Sequence, residues 1–239
     1  MNKVQEPRRD QRENPSFWGT YSIPSAVLYV LATTTNGSKL SLTTKHLYHW
    51  TRDGLAGGYL TGIRNKNIFI NFKDLISLRA IAVMRASGMN HREIIIAEEV
   101  LRKRYGHEYP FATMEFWTVP PTDILIKEGG ILLSASRYLQ VAMDFFAEYI
   151  VPHHNLTFDI FNLSAAWRPY NNVLLDPQIQ YGEPCIEGTR VPTQVLYSFY
   201  KAGDSIDKLS YFYGIQPTRI KDAIAWENHI QEVAYTKRS

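Results

Sequence analysis

The stretch GEPCIEGTRVPTQVLYSFYKAG, residues 182–203, places two glycines, two prolines and the only cysteine of the chain ahead of an apolar run. Proline fixes φ near the helical value and lacks an N–H, so Pro192 suits the first turn of a helix. The pattern predicts a tight loop that leads into a helix. The role of these residues is therefore structural rather than chemical. Cys185 has no histidine close in sequence to activate a thiolate, so we expect it to be a small buried side chain.

Two more helices are predicted beyond this stretch. Ser205 is a candidate N-cap for the first of them, and Gly214 allows the turn that ends it. Pro217 then opens a third helix. Together they predict a helix-turn-helix-like domain of three helices over residues 178–239. Its expected core consists of Val195, Leu196, Phe199, Leu209, Phe212, Ile220 and Ile224.

The N-terminal half predicts a second unit built from helices and a hairpin. A helix begins near Pro24, and another follows Thr43, whose hydroxyl can accept a free backbone N–H. Leu47 and Trp50 would face inward from this second helix. Gly54 is its predicted end, and two apolar runs around an Arg-Asn-Lys-Asn turn, residues 64–67, predict a hairpin.

Further helices and strands are predicted along the middle of the chain. A helix from Lys73 to Gly88 carries one apolar face, and the next begins at Asn90, with Glu93 completing a capping box. Residues 114–119 and 123–135 suggest strands, residues 137–151 a helix, and residues 156–177 a strand and linker. The predicted fold class is therefore α+β and mostly α. Its parts are a flexible arm (1–20), a winged helix-turn-helix with following helices (21–105), a central hairpin and helix module with a linker (106–177), and the C-terminal helical domain (178–239).

Positive charge is concentrated in one part of the chain. Residues 39–73 carry six basic side chains and one acidic one, whereas residues 179–239 carry seven of each. A local positive field in a nearly neutral chain is typical of a phosphate-binding surface, although a solvated basic face is the alternative. The candidate DNA-binding residues are Thr44, Lys45, His46, Tyr48, His49, Arg52, Arg64, Lys66 and Lys73.

Two motifs resemble known families. HLYHWTRDGL, the hairpin and DLISLRAIAVMRASGM are similar to the MerR-type winged helix-turn-helix. The C-terminal motif with GTRVP and AGDSIDKL resembles a small domain of unassigned function found in bacterial VapB-type antitoxins. The resemblance implies a type II antitoxin that binds operator DNA, represses its operon and neutralises a PIN-like ribonuclease toxin. The candidate toxin-binding residues are Arg190, Lys237 and Arg238.

Helix-turn-helix proteins usually act as dimers, so we expect a homodimer paired through residues 73–105 or the central hairpin. The alternative function is a stand-alone MerR-like transcription regulator. Its small-molecule effector site or dimerisation element would lie within residues 115–151, with the aromatic residues Phe116, Trp117, Phe145 and Phe146 as a candidate lining.

Several functions are not expected from this sequence. His46 and His49 have a spacing that metals can use, but no third ligand lies near them, so no metal site is predicted. The sequence contains no phosphate-cradling glycine loop or catalytic signature, and therefore no enzyme activity and no cofactor are expected. One cysteine excludes an internal disulfide, and no apolar run is long enough to span a bilayer. We expect a cytoplasmic protein without a membrane partner.

Overall fold

The computed structural model describes residues 19–33, 42–52, 62–64, 67–86, 89–118 and 155–236. Within these ranges the chain is α+β and mostly helical, with two small antiparallel sheets, in agreement with the predicted fold class. Other predicted features lie outside the described residues: residues 1–18 of the arm, Gly54, Gly88, the hairpin at 123–135 and the helix at 137–151.

The first sheet belongs to the N-terminal half. Its strands lie in the order β1-β3-β2 and are β1 (Tyr21–Ser22), β2 (Gly62–Arg64) and β3 (Asn67–Ile70). β2 and β3 form the predicted hairpin, and β1 pairs with the other edge of β3. Helix α1 (Ile23–Ala32) starts directly after β1, because the Ser22 hydroxyl accepts the Ser25 N–H at 3.2 Å and a proline occupies the first turn.

Helix α2 (Thr44–Arg52) packs against α1 and is followed, after the hairpin, by α3 (Phe72–Ala86). Asn71 and Asp74 begin α3 by reciprocal capping, since each side chain accepts the backbone N–H of the other at 2.8–3.0 Å. Burial raises the pKa of the Asp74 carboxyl.

The prediction of a single apolar face on α3 is wrong in its extent. The predicted face is buried and consists of Leu75, Leu78, Ile81, Ala82 and Met84. Residues on the other sides are buried too, including Ile76, Arg79 and Val83. A helix that is buried all round lies in the core of a domain rather than on its surface. Because α3 is covered within one chain, a dimer contact from the predicted segment 73–105 would have to come from the next helix, α4 (His91–Tyr105).

The boundaries of α4 follow the sequence prediction. The Asn90 side chain accepts the Glu93 N–H at 3.0 Å, and the Glu93 carboxylate accepts the Asn90 N–H at 2.7 Å. The capping box is therefore confirmed. The helix ends at Gly106, whose φ of 69° is the left-handed conformation that glycine adopts without steric cost.

The predicted strand at residues 114–119 is wrong over residues 114–118, the part that the structure describes. A 3₁₀ turn (Pro110–Ala112) leads into a short helix, α5 (Met114–Thr118). The Thr113 hydroxyl accepts the Phe116 N–H at 3.2 Å, as an N-cap does, and the indole N–H of Trp117 donates to the Phe111 carbonyl at 2.9 Å. These contacts favour a helical turn over an extended segment.

The second sheet occupies much of the segment predicted as strand and linker. Its strands, in the order β4-β5-β6-β7, are β4 (Leu156–Phe158), β5 (Ser164–Tyr170), β6 (Val173–Leu175) and β7 (Cys185–Ile186). All neighbouring pairs are antiparallel. The predicted domain boundary at residue 178 therefore falls between two paired strands of one sheet.

Three helices follow the second sheet as predicted: α6 (Thr193–Lys201), α7 (Ile206–Tyr213) and α8 (Pro217–Thr236). Ser205 caps α7 by accepting the Lys208 N–H at 3.2 Å, and Gly214 ends it in the left-handed conformation. Pro192 is the N-cap of α6 rather than its first helical residue.

The predicted C-terminal core is only partly correct. Leu196, Leu209, Ile220 and Ile224 are buried, and Val195 is half-buried. Phe199 is instead 45% exposed and Phe212 69% exposed. Other residues, such as Leu196 and Tyr197 on α6 and Leu209 on α7, already fill the faces that pack in this core, and both phenylalanines lie outside them.

Helix α8 joins the two halves of the molecule. It packs against α6 and α7, and also against α1, β6 and β7. The Trp226 ring is fully buried and lies 6.2 Å from both the Tyr29 and the Tyr170 ring centroids. His229 Nε2 lies 2.8 Å from the Ala32 carbonyl at the end of α1. The core of the N-terminal half is thus continuous with the C-terminal helices.

Candidate nucleic-acid interface

Helix α2 is held by a narrow buried stripe. The Thr43 hydroxyl accepts the His46 N–H at 3.2 Å, which confirms the predicted N-cap. Leu47 is fully buried and Trp50 is 6% exposed, as predicted. The Thr51 hydroxyl donates to the Leu47 carbonyl at 2.8 Å, so its polar group is satisfied inside the protein. The other faces of α2 are left free of this packing.

The opposite face of α2 is exposed and carries no acidic side chain. Thr44, Lys45, His46 and His49 are exposed, and Tyr48 is half-buried. The His46 ring is stacked on Trp50 with 13° between the planes, which fixes its orientation. The structure therefore brings five of the predicted residues together on one short helix. The side chain of Arg52 lies outside the described residues.

The hairpin is the second part of the predicted interface. Arg64 ends β2 and pairs with Asn67 at the start of β3. Its side chain, and the whole of Lys66 in the turn, lie outside the described residues. Because β3 also pairs with β1, and β1 leads directly into α1, the hairpin and α2 are both fastened to the same helix.

Lys73 differs from the other predicted DNA-binding residues. It is half-buried near the start of α3, and burial lowers the pKa of its ammonium group. The carboxylates of Asp159 and Glu108 lie close enough to oppose that effect. Lys73 therefore faces protein carboxylates, unlike the exposed side chains of α2.

Arg190 lies in a turn that is held by several hydrogen bonds. The Thr189 hydroxyl donates to the Ile186 carbonyl at 2.7 Å, and the Gln180 amide donates to the Arg190 carbonyl at 3.1 Å. The guanidinium groups of Arg168 and Arg219 anchor the neighbouring Glu187, through its carboxylate and its carbonyl respectively. The Arg190 side chain itself is exposed. Lys237 and Arg238, the other predicted toxin-binding residues, lie outside the described residues.

Cys185 has the surroundings of a structural residue. It is 2% exposed in β7, and burial raises the pKa of its thiol to about 11. A thiol with so high a pKa stays protonated and unreactive at neutral pH. Within the ranges that the structure describes, no cluster of three or more potential ligands could hold a metal ion.

Helices α6 and α7 carry a set of exposed aromatic side chains that was not predicted from the sequence. Tyr211 is 86% exposed, and its ring packs edge-to-face on Phe212 at 5.9 Å between centroids. The helical period of the sequence could have predicted this exposure. Ile206, Leu209 and Tyr213 have the spacing of one helical face and fill the inward face of α7, so Tyr211 and Phe212 lie outside it. The set, called the α6–α7 aromatics below, consists of Phe199, Tyr200, Tyr211 and Phe212.

Comparisons with known proteins identify one domain and one similar fold. Residues 173–226 match a family described as a protein of unknown function (DUF433), so the C-terminal region contains a DUF433 domain. A crystal structure of Rv2018 from Mycobacterium tuberculosis is similar over 85% of this chain and 96% of that chain, with a TM-score of 0.63 and 18% identity. At this identity the similarity concerns the fold. No curated protein matches the sequence.

The helices of the protein can be compared with the requirements of a membrane-spanning segment. Among the helices of the described ranges, none combines the length and the apolar composition that crossing a bilayer requires.

Proposed function

We propose that this protein is an antitoxin of a type II toxin–antitoxin system that binds operator DNA through a winged helix-turn-helix and neutralises a PIN-like ribonuclease. The observation that carries the DNA-binding part is the exposed face of α2, where Lys45, His46 and His49 stand together with Thr44. Leu47 and Trp50 fix the helix from behind. A helix of this kind can enter the major groove while a hairpin tip contacts the phosphate backbone.

Electrostatics supports the same surface. Six of the seven charged residues in the segment 39–73 are basic, and α2 itself has no carboxylate to offset them. Lysine at a phosphate displaces condensed counterions, which makes binding favourable at low salt and weaker as salt rises. Histidine and threonine side chains can donate hydrogen bonds to base edges or phosphates. The α2 face therefore offers both attraction and hydrogen bonding.

The test uses full-length protein and a duplex from the region upstream of its own gene. Lys45→Gln combined with His49→Gln is expected to weaken binding roughly 10- to 100-fold, because two contacts on the groove-facing side are lost. Lys45→Gln alone should reduce the slope of log K against log salt by about 0.9 if this lysine contacts one phosphate. Fluorescence anisotropy over a series of salt concentrations measures both quantities.

The matched control is Lys221→Gln, which removes the same charge from an exposed position on α8. It should leave both the affinity and the salt slope unchanged. Equal effects of Lys45→Gln and Lys221→Gln would show that only the net charge matters and would contradict a role of α2 as the DNA-contacting helix.

The antitoxin part of the proposal rests on the resemblance of the C-terminal motif to the domain found in VapB-type antitoxins. Two exposed surfaces, the turn at Arg190 and the α6–α7 aromatics, support it. Arg190 extends from a turn that hydrogen bonds already hold, so little order has to be gained on binding. The α6–α7 aromatics add large exposed apolar groups of the kind that dominate protein interfaces. Lys237 and Arg238 are the other candidate toxin-binding residues. We also propose that the protein acts as a homodimer.

The partner test looks for a PIN-like gene beside this one and co-expresses the protein with the product of that gene. Tyr211→Ser combined with Phe212→Ser is expected to lower affinity for the toxin at least tenfold, because interface aromatics are frequent hot spots. Affinity is measured by calorimetry, and growth reports neutralisation. Tyr235→Ser, at an equally exposed tyrosine near the end of α8, is the control. Full protection and unchanged affinity in the double variant, with and without Arg190→Glu, would remove the toxin-binding site from this domain.

The alternative, a stand-alone regulator with an effector site, is less well supported by the described residues. Phe116 is 2% exposed and packs on Phe111, with ring centroids 5.2 Å apart. Trp117 also packs against the N-terminal core. These two aromatics therefore contribute to the core, while Phe145 and Phe146 lie outside the described residues.

A further inference from the structure

Arg79 is a buried cation in the middle of α3. It is 2% exposed. Its guanidinium carbon lies 5.2 Å from the ring centroid of Trp117 and 4.8 Å from that of Trp167. One tryptophan comes from α5 and the other from β5, so three distant parts of the chain meet at this side chain. Two indole rings provide cation–π attraction, but they offer no hydrogen-bond acceptor.

Two of the three nitrogens of this guanidinium lack a hydrogen-bond partner among the described residues. Among the residues that the structure describes, Arg79 Nε and Nη2 are buried and have no acceptor. These two nitrogens share one edge of the guanidinium and form the fork that binds two oxygens of a carboxylate or phosphate. The buried indole N–H of Trp167 also has no acceptor. Three buried donors on two side chains in contact therefore lack an acceptor among the described residues, and leaving such groups unpaired in the interior is costly.

Within the described ranges, no carboxylate is positioned to compensate the charge of Arg79. Burial lowers the pKa of its guanidinium to about 9. Arginine is almost never fully buried without a partner. Arg168, by contrast, lies at the surface of the same β5 and is paired with Glu187. Among the residues that the structure describes, the partly exposed arginine thus has a carboxylate partner and the buried one has none.

We propose that Arg79, Trp117 and Trp167 form a binding site for a small oxyanion, a carboxylate or a phosphate. The guanidinium would bind two oxygens of the anion through Nε and Nη2, and the indole N–H of Trp167 is the third donor. Since α3 belongs to the N-terminal core and β5 to the second sheet, the bound anion would stabilise the junction between them. This site is separate from the α2 face and from the α6–α7 aromatics.

The test measures the thermal stability of the full-length protein in sodium acetate and in sodium phosphate, each against sodium chloride at equal ionic strength. A ligand that binds only the folded state stabilises it by mass action. At about 100 times the dissociation constant, the midpoint of unfolding should rise by roughly 5–10 °C. Intrinsic tryptophan fluorescence should change over the same concentration range. Equal midpoints in all three salts would overturn the proposal.

Variants separate this site from general salt effects. Arg79→Met should melt in chloride at the same temperature as the original chain or higher, because a buried unpaired charge is replaced by an apolar side chain. It should also lose the response to acetate and phosphate. Arg92→Met, at an exposed arginine of α4, should keep the full response. A response that persists in Arg79→Met would place the anion elsewhere and overturn the proposal.

Arg79→Lys provides a second comparison, which also serves if the methionine variant does not fold. Lysine keeps the charge but lacks the planar fork, so the apparent dissociation constant for acetate should rise at least tenfold. An unchanged constant would contradict binding through Nε and Nη2. Stability that depends on protein concentration and not on the added anion would assign the donors to a carboxylate of a second chain, which also overturns the proposal.

Discussion

Replacing Gly182 with alanine is expected to destabilise the protein by about 2–5 kcal/mol. Gly182 has a φ of +88°, which strains any residue with a Cβ. An added Cβ would also overlap the hydroxyl of Tyr21 and lie 2.8 Å from its ring carbon Cζ. Tyr21 has no room to move away, because it is 3% exposed and packs on Tyr29 and Phe72. The substitution therefore combines backbone strain with overpacking.

The control for this prediction is Gly188→Ala. Gly188 has a similar φ of +72°, but an added Cβ meets nothing within 4 Å. This variant should be destabilised only by the strain of a Cβ at positive φ, which lowers the free energy of unfolding by about 1–2 kcal/mol. Urea denaturation followed by circular dichroism gives both free energies of unfolding. Equal losses in the two variants would show that the close approach of Gly182 to Tyr21 has no energetic importance.

Truncating Trp226 to alanine is the second large effect, expected at about 3–5 kcal/mol. The indole is fully buried among residues from α1, β6 and α8, in a cluster with Ala32, Val173 and Ile230. Its removal leaves a cavity at the contact between the two halves of the molecule. The same denaturation experiment measures the loss.

Trp226→Phe is the comparison for the truncation. Phenylalanine keeps an aromatic ring that can pack between Tyr29 and Tyr170, so about half or less of the destabilisation is expected. The indole N–H of Trp226 has no partner among the described residues, and its loss therefore breaks no described hydrogen bond. A loss below 1 kcal/mol for Trp226→Ala would contradict the view that α8 joins the halves through this side chain.

Local signals in the sequence predict most of the helices. Asn90 and Glu93 are close in sequence and satisfy each other's backbone groups, so α4 could be located without knowledge of its neighbours. Ser205 and Gly214 do the same for α7. The exposed face of α2 follows equally from the spacing of Leu47 and Trp50.

Features that depend on distant parts of the chain could not be predicted in this way. Strands β4 and β6 have three residues each, too few for a period-2 pattern to stand out. The burial of Arg79 depends on Trp117 and Trp167, which only the fold brings to α3. Phe199 and Phe212 have a spacing that fits a core, but the inward faces of α6 and α7 are occupied by other residues, among them Leu196 and Leu209.

The contact between His229 and the Ala32 carbonyl bears on the order in which the protein matures on the ribosome. Chains are made from the N-terminus, and domains usually fold as they emerge. Here the end of α1 and the residues that surround the Trp226 ring lack their packing partners until α8 has been synthesised. The nascent N-terminal half therefore exposes apolar surface for most of translation, and it reaches its final packing only when the C-terminal helices arrive.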